Sequence, residues 1–231
     1  LAEILERVDP SVPESTVDDL RRLLMKHSKA FSVDETDLGW TDKIKHTIDT
    51  GDHPPARQAL RRVPLAQREV IDKHLNEQLR QGIIRPAQSP FASNLVIVKK
   101  HDGTTRCCVD FRNLNAISKH DSYPLPRIDQ CIDALGGDNA WFSCLDMRSS
   151  YHQVAMHERD AEKTAFICHR GSFLYNTMPM GLRNSGATFQ RLMDMVMAGL
   201  SFEACLVYLD DIVVFSKTLE EHLERLEEVF R

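Results

Sequence analysis

Ala204-Cys205-Leu206-Val207-Tyr208-Leu209-Asp210-Asp211-Ile212-Val213-Val214-Phe215 is the stretch that decides the fold of this chain. Two short apolar runs, rich in β-branched residues, flank a tight turn that carries adjacent carboxylates. The pattern predicts two buried strands joined as a hairpin. Like charges at the tip of an apolar hairpin repel one another, and a low-dielectric site holding them needs a compensating cation. Ligands made only of oxygen suit magnesium or manganese. The pattern points to metal-assisted chemistry on phosphates. Alone it is a weak signal, because Asp is common in turns. Asp18-Asp19 illustrates the bland case: it precedes Leu20, Leu23 and Leu24 at helical spacing and reads as first-turn charge that suits a helix dipole.

A third carboxylate strengthens the reading. Trp141-Phe142-Ser143-Cys144-Leu145-Asp146-Met147 predicts a buried strand that ends in a single acid. A lone buried carboxylate costs several kcal/mol unless it is paired or bound to a metal. Beside the Asp210-Asp211 turn, Asp146 would complete a three-carboxylate cage for two divalent ions, about 4 Å apart, in an in-line phosphoryl transfer. The bland alternative is that Asp146 opens a loop and faces water.

These segments, together with others that follow one another in the same order, resemble the fingers and palm of a reverse transcriptase of the gypsy type, found in long-terminal-repeat retrotransposons and related retroviruses. The matching pieces are Leu95-Val96-Ile97-Val98-Lys99-Lys100; Arg106 with Val109-Asp110-Phe111-Arg112-Asn113-Leu114-Asn115; and Tyr123-Pro124-Leu125-Pro126. Then come Leu145-Asp146-Met147-Arg148-Ser149-Ser150-Tyr151-His152-Gln153, Met178-Pro179-Met180-Gly181-Leu182-Arg183-Asn184 with Ala187-Thr188-Phe189-Gln190, and Tyr208-Leu209-Asp210-Asp211. They cover residues 57–231, about three quarters of the chain.

The resemblance implies an α+β, right-hand polymerase fold: a small antiparallel palm sheet backed by helices, plus a mixed fingers subdomain. Residues 1–56 are then a tether with a short helix, and residues 57–231 the polymerase part. Fingers fall mainly at 57–127 and part of 152–180, palm mainly at 128–151 and 181–231. Thumb, connection and ribonuclease H domains are expected to be absent. The implied reaction is RNA-directed DNA synthesis, transferring a nucleotide from a deoxynucleoside triphosphate to a primer 3′-hydroxyl. Asp146, Asp210 and Asp211 would hold two magnesium ions, with manganese as the alternative. Family members differ in how closely the second acid of the pair approaches the metals. Implied partners are an RNA or DNA template with its primer, deoxynucleoside triphosphates, and the protease, ribonuclease H and integrase of a parent polyprotein, without a membrane. The implied location is the cytoplasm, within virus-like particles, with a later nuclear stage as the alternative.

The nucleotide-side residues make chemical sense as well. Lys99-Lys100 close an apolar strand, Asp102-Gly103 is a hairpin-turn signal, and Arg106 lies on the returning strand. Such a hairpin can bring cations over a triphosphate, with Arg forking onto phosphate oxygens and Lys acting as a point charge. By resemblance Arg106 does this with Lys99 or Lys100, Lys99 being favoured. The bland reading is a solvated basic cluster that protects a sheet edge. Tyr151 matches the family's aromatic gate, a floor under the sugar that leaves no room for a 2′-hydroxyl. Met147 and the turn containing Met180 match positions beside the nucleotide. Relatives often carry Gln or an aromatic residue at Met180, and Ala-Pro where this chain has Ser185-Gly186.

Elsewhere, Pro64 predicts a helix start that runs through Ile71, Leu75 and Leu79 to Gly82, and Gly171 predicts a hairpin. Ser185 is placed to cap a helix with an apolar face at Phe189, Leu192, Met193, Val196 and Leu200. Met193, Met195 and Met197 read as adaptable core filler. Thr218 and Glu221 predict a capping box for a last helix that buries Leu219, Leu223, Leu226 and Phe230. Residues 41–56, with Gly51 and Pro54-Pro55, predict an extended connector.

The net charge of −5 over 231 residues hides a division. Residues 57–127 hold 13 Lys and Arg against 6 Asp and Glu, and the remainder 16 against 28. The positive excess coincides with the proposed fingers, where it would support salt-sensitive contact with nucleic acid. Six cysteines without a C-x-x-C pair predict reduced thiols rather than a disulfide framework or a zinc site. No run approaches the ~20 apolar residues of a membrane span, and no signal peptide is recognisable. Two other classes compete with the enzyme. One is a decayed or domesticated retroelement fragment that binds nucleic acid or a partner without catalysis. The other is an RNA-dependent RNA polymerase, which shares the palm chemistry but usually carries Gly before its acid pair.

Overall fold

In this computed structural model, residues 2–34, 37–99, 103 and 105–231 are described. In chain order the elements are α1 (Ala2–Leu5), α2 (Glu14–Lys26), β1 (Thr41–His46), α3 (Leu65–Arg80), β2 (Ile84–Pro86), β3 (Ser93–Lys99), β4 (Thr105–Val109), α4 (Arg112–Ile117) and α5 (Ile128–Leu135). There follow β5 (Trp141–Asp146), β6 (Val154–Met156), α6 (Glu158–Ala161), β7 (Phe166–Cys168), β8 (Gly171–Tyr175), α7 (Ser185–Val196), β9 (Cys205–Tyr208), β10 (Asp211–Ser216) and α8 (Leu219–Phe230). They divide into two units, and one of the boundaries falls inside α7, between Phe189 and Gln190.

The first unit comprises Leu1–Asp37, Pro124–Arg148 and Gln190–Arg231. Its sheet is antiparallel, ordered β5-β10-β9. The apolar runs around Asp210-Asp211 form β9 and β10, whose Cys205, Leu206, Val207, Ile212, Val214 and Phe215 are buried. Strand β5 differs from the expected buried strand. Its residues alternate between half-buried and exposed, with Phe142 50% exposed. The alternation follows the pleat: Ser143 faces α8 through His222, while Phe142, Cys144 and Asp146 point to the other face, and among the described residues β5, an edge strand, pairs only with β10. Helix α8 covers one face of the sheet through His222, whose ring nitrogens meet Ser143 Oγ at 2.7 Å and Ser216 Oγ at 2.9 Å. Thr218 Oγ1 caps α8 by accepting from the Glu221 N–H at 3.2 Å. The Glu221 carboxyl reaches back to the start of the helix, accepting from the Lys217 N–H at 2.9 Å and from the Thr218 backbone, and these bonds hold it below the usual carboxylate range. Of the face expected to bury, Leu226 is buried, while Leu219, Leu223 and Phe230 are half-buried. Helix α2 packs against α8, with Phe31 edge-on to Phe230 at 5.0 Å and Lys26 paired to Glu227. Because α2 begins at Glu14, Asp18 and Asp19 lie past its first turn and pair with Arg21 and Arg22.

The second unit comprises Leu38–Tyr123 and Ser149–Phe189. Its five-stranded sheet runs β2-β8-β7-β3-β4, mixed because β3 and β7 are parallel while the other neighbours are antiparallel. A core of Phe166, Phe173 and Tyr175 stacks upon it. Helix α3 follows Pro64, as its restricted φ predicts, and buries Ile71 and Leu75. The extended chain expected over 41–56 contains a paired strand: β1 runs parallel to β6. Its end is fixed by His46, buried and bonded to Thr188 Oγ1 at 2.8 Å, and by a buried Asp160 that accepts from Lys163 and the Ile48 N–H.

Helix α7 departs from its prediction at both ends. Ser185 is its first residue, and its hydroxyl donates to the Pro179 carbonyl at 3.0 Å instead of accepting from the helix. Val196, expected in the core, ends the helix at 50% exposure, and Gly199 turns the chain at φ 88°. Met193 and Met197 are core filler, whereas Met195 faces outward. The six cysteines are free. Among the described residues, no helix is long and apolar enough to cross a membrane.

Candidate active site

Register assembles the acids. In the β5–β10 ladder Asp211 stands directly opposite Asp146. The Met147 N–H donates to the Asp210 carbonyl at 3.1 Å. A bond from the residue after Asp146 to the residue before Asp211 marks a non-hydrogen-bonded pair, the site at which facing side chains lie closest, with Cβ atoms about 4.5–5.5 Å apart. Like charges in that position oppose the pairing. Asp146 and Asp211 are exposed and Asp210 is half-buried. The expectation that burial would isolate Asp146 is thus corrected: it lies on the open face of an edge strand, and its partner problem is repulsion rather than desolvation.

The turn between the strands is tight and strained. Tyr208 pairs with Asp211, leaving Leu209 and Asp210 as a two-residue loop. Leu209 has φ 55°, a conformation that such hairpin turns normally assign to Gly. A non-glycine residue held there costs of order 1–3 kcal/mol and persists only where surrounding contacts enforce it. The Leu209 N–H donates to Gln190 Oε1 at 3.0 Å.

Three carboxylates at one end of a sheet form an all-oxygen donor set of the kind that hard divalent cations take. The side chains, however, are gathered by backbone register rather than drawn onto one point: among the described residues no three His, Cys, Asp or Glu converge as a ready-made metal site.

The nucleotide-side candidates, apart from Met147, belong to the second unit. Lys99 pairs with Thr105, and Arg106 with Val98. Strand alternation sends neighbouring residues to opposite faces, so Lys99 and Arg106 do not share one. Lys100 and the Asp102 of the expected hairpin turn lie outside the described residues. The Arg106 guanidinium rests against Met180 Sδ, and Met180 is 42% exposed. The turn that carries Met180 is fixed by Asn115, whose Nδ2 donates to the Gly181 carbonyl at 2.8 Å and whose Oδ1 accepts from the Arg183 N–H at 2.9 Å. Gly181 sits at φ 90°, which only glycine adopts readily. Tyr151 lies in a 3₁₀ turn, Ser150–Gln153, entered through Ser149 at φ 49°. Its ring stacks on buried Phe189, centroids 5.5 Å apart. The structure thus brings Arg106 and Met180 together and gives Tyr151 a rigid backing.

Sequence reasoning gave no role to three residues here. His152 stacks on Tyr175 and bonds Thr177 Oγ1 at 3.1 Å. Burial pushes its imidazole down to about 4, with the charges of His74 and Arg106 adding to the effect. Asp110 is buried under a two-pronged bond from Arg112, which holds its carboxyl below the usual range. Gln190 is wholly buried. Its only signal was membership of the Phe189-Gln190 pair, since a Gln in an amphipathic helix ordinarily reads as part of the polar face.

The fold is similar to that of the foamy viral protease–reverse transcriptases. The prototype foamy virus protein aligns at a TM-score of 0.86 over 99% of this chain and 30% of its own, with 24% identity. A foamy viral protease–reverse transcriptase in complex with an RNA/DNA hybrid gives 0.86 over 99% and 30%, with 21% identity. At these identities the likeness is one of fold alone. Residues 98–231 match the family model described as reverse transcriptase (RNA-dependent DNA polymerase). The chain is 38% identical over 218 residues to the retrovirus-related Pol polyprotein from transposon 297 of Drosophila melanogaster, covering 91% of this chain and 20% of that polyprotein. It is 31% identical over 229 residues to that from transposon gypsy of the same organism, covering 96% and 22%. This chain belongs to the reverse transcriptase family and is related to gypsy-type Pol polyproteins. It spans about a fifth of the length of those relatives.

Proposed function

We propose that this chain carries the RNA-directed DNA polymerase centre of a retroelement polyprotein. The observation that carries the reading is the register of Asp211 against Asp146 with Asp210 in the adjoining turn. Asp146, Asp210 and Asp211 would hold the divalent ions, magnesium or alternatively manganese. Bound there, the ions supply a lowered pKa for the primer 3′-hydroxyl and charge stabilisation for the leaving pyrophosphate. Arg106 binds and orients the triphosphate, leaving its contact with Met180 to do so. Lys99, on the other face of the ribbon, contributes long-range charge rather than a second prong. Tyr151, stiffened by Phe189, excludes a 2′-hydroxyl from the sugar site. Met180 packs against the nucleotide, and Met147 follows the first acid beside it.

The partners proposed are an RNA or DNA template with primer, deoxynucleoside triphosphates and the remaining Pol domains. The foamy viral relative in complex with an RNA/DNA hybrid supports the first of these. The setting proposed is a cytoplasmic virus-like particle. The intact set of three acids favours an enzyme over a decayed, non-catalytic fragment. The test is extension of a DNA primer on an RNA template with either deoxy- or ribonucleotides, for the chain and for Tyr151→Ala. Preference for deoxynucleotides that collapses in the variant supports the reading. Preference for ribonucleotides would assign the chain to RNA synthesis instead.

A further inference from the structure

We propose that Gln190 is the positioning residue of the acidic turn, holding Leu209 at positive φ and thereby fixing Asp210 and Asp211 against Asp146. The inference rests on the polymerase reading only for the purpose of the acids. The mechanical role stands on its own geometry.

Gln190 lies one turn into α7 and is completely buried. Both ends of its amide are engaged. Oε1 accepts from the Leu209 N–H at 3.0 Å, and Nε2 donates to Asp194 Oδ1 at 2.9 Å and faces the Val207 carbonyl at 3.5 Å. The amide has one workable orientation. An amide N–H can only donate and a carboxylate can only accept, so Oε1 must face Leu209 and Nε2 must face Asp194. Asp194, four residues along the same helix, therefore orients the amide, and the amide orients the turn.

The turn needs such a hold. Because Tyr208 and Asp211 close the hairpin with their own backbone groups, the Leu209 N–H has no ladder partner. Leu209 also carries a Cβ in a conformation that favours glycine. Without Gln190 the Leu209 N–H loses its acceptor, and only the strand pairing on either side of the turn still opposes relaxation of φ. Any relaxation at Leu209 swings the next residue, Asp210, and shifts the register in which Asp211 faces Asp146. Gln190 touches no reacting atom. It acts through the backbone.

The test uses the whole chain and three variants: Gln190→Leu, which keeps bulk and removes both bonds; Asp194→Asn, which allows the amide to flip; and Gln190→Leu combined with Leu209→Gly. Two properties are read: hydrogen exchange of the Leu209 amide by NMR, and Mn²⁺ affinity by calorimetry, with Asp210→Asn as the control for binding at the acids. The expected result is lost protection at Leu209 and a Kd raised by about 10- to 100-fold in a folded Gln190→Leu, as for other outer-shell supports of metal ligands. Asp194→Asn should show the same changes at smaller size. Adding Leu209→Gly should restore part of the affinity, since glycine needs no hold to keep a positive φ. Retained protection at Leu209, or an unchanged Kd, overturns the proposal. Should Gln190→Leu fail to fold, the near-isosteric Asp194→Asn decides by the same two readings. If Asp210→Asn leaves Mn²⁺ binding unchanged, the metal reading of the acids fails, while exchange at Leu209 still decides whether Gln190 holds the turn.

Discussion

The two units solve the problem of placing functional groups in different ways. In the first, a regular antiparallel ladder makes Asp146 and Asp211 face each other, and only Asp210 lies in the turn beside them. In the second, Tyr151 and Met180 sit on irregular backbone, a 3₁₀ turn entered at positive φ and a glycine turn, while Lys99 and Arg106 lie on the β3–β4 ladder. The ladder tolerates no slip, because one residue would send the acids to the opposite face. The irregular segments hold position through individual side chains instead, Asn115 under Gly181 and Phe189 under Tyr151. A substitution at the paired acids should therefore act mostly through charge, and one at Tyr151 or Met180 mostly through geometry.

The sharpest break in that comparison is Asp146→Asn. It should lower primer extension by roughly three orders of magnitude or more while leaving the fold intact, because it removes a proposed charged ligand yet keeps the shape of a strand end. It also relieves the repulsion with Asp211, so a melting temperature equal to or above that of the unaltered chain is expected.

Acid separates the units next. Burial holds His46 and His152, both in the second unit, at about 4 instead of 6.5. A depressed imidazole means that the unfolded chain takes up a proton first. Stability is then complete above pH 6.5, declines as pH falls toward 4, and levels off below it. Each histidine accounts for at most about 3 kcal/mol. In the first unit Glu227 is held at about 2 by hydrogen bonds from Lys26 and Arg231, so its contribution is present above 4.5 and is lost only as pH falls toward 2. Urea titrations at pH 7 and 4.5 check this, with Trp40 reporting on the second unit and Trp141 on the first. The second should lose more.

Smaller effects follow. Arg106→Ala should raise the KM for deoxynucleotides by about 10- to 100-fold with a lesser change in kcat, the size of a charge-assisted bond to phosphate. Steady-state kinetics measure it. Thr218→Ala removes the cap of α8 and should cost about 1 kcal/mol in the first unit, seen as a shift in its urea midpoint, with no change in KM.

The legible parts of this molecule were those written as local pattern. The apolar runs around Asp210-Asp211, the Pro64 helix start and the Gly171 hairpin each appear where their residues require. Partner-dependent features were not legible. Nothing in Trp141–Asp146 says which face of the strand a helix will cover, so its alternating exposure had to come from the packing of α8. Ser185 looked like a cap because its hydroxyl could accept, yet the Pro179 carbonyl offered a better use as a donor. Alternation could have separated Lys99 from Arg106 in advance, had the hairpin pairing been known. Gln190 was hidden for a further reason: a buried amide is visible only once both its partners, Leu209 and Asp194, are in place.

The most direct test is RNA-templated primer extension with deoxynucleotides and magnesium, comparing the chain with Asp210→Asn. The proposed function predicts magnesium-dependent extension by the unaltered chain and its loss in a variant that folds normally. Comparable extension by both would contradict the assignment of the acidic turn as the catalytic centre.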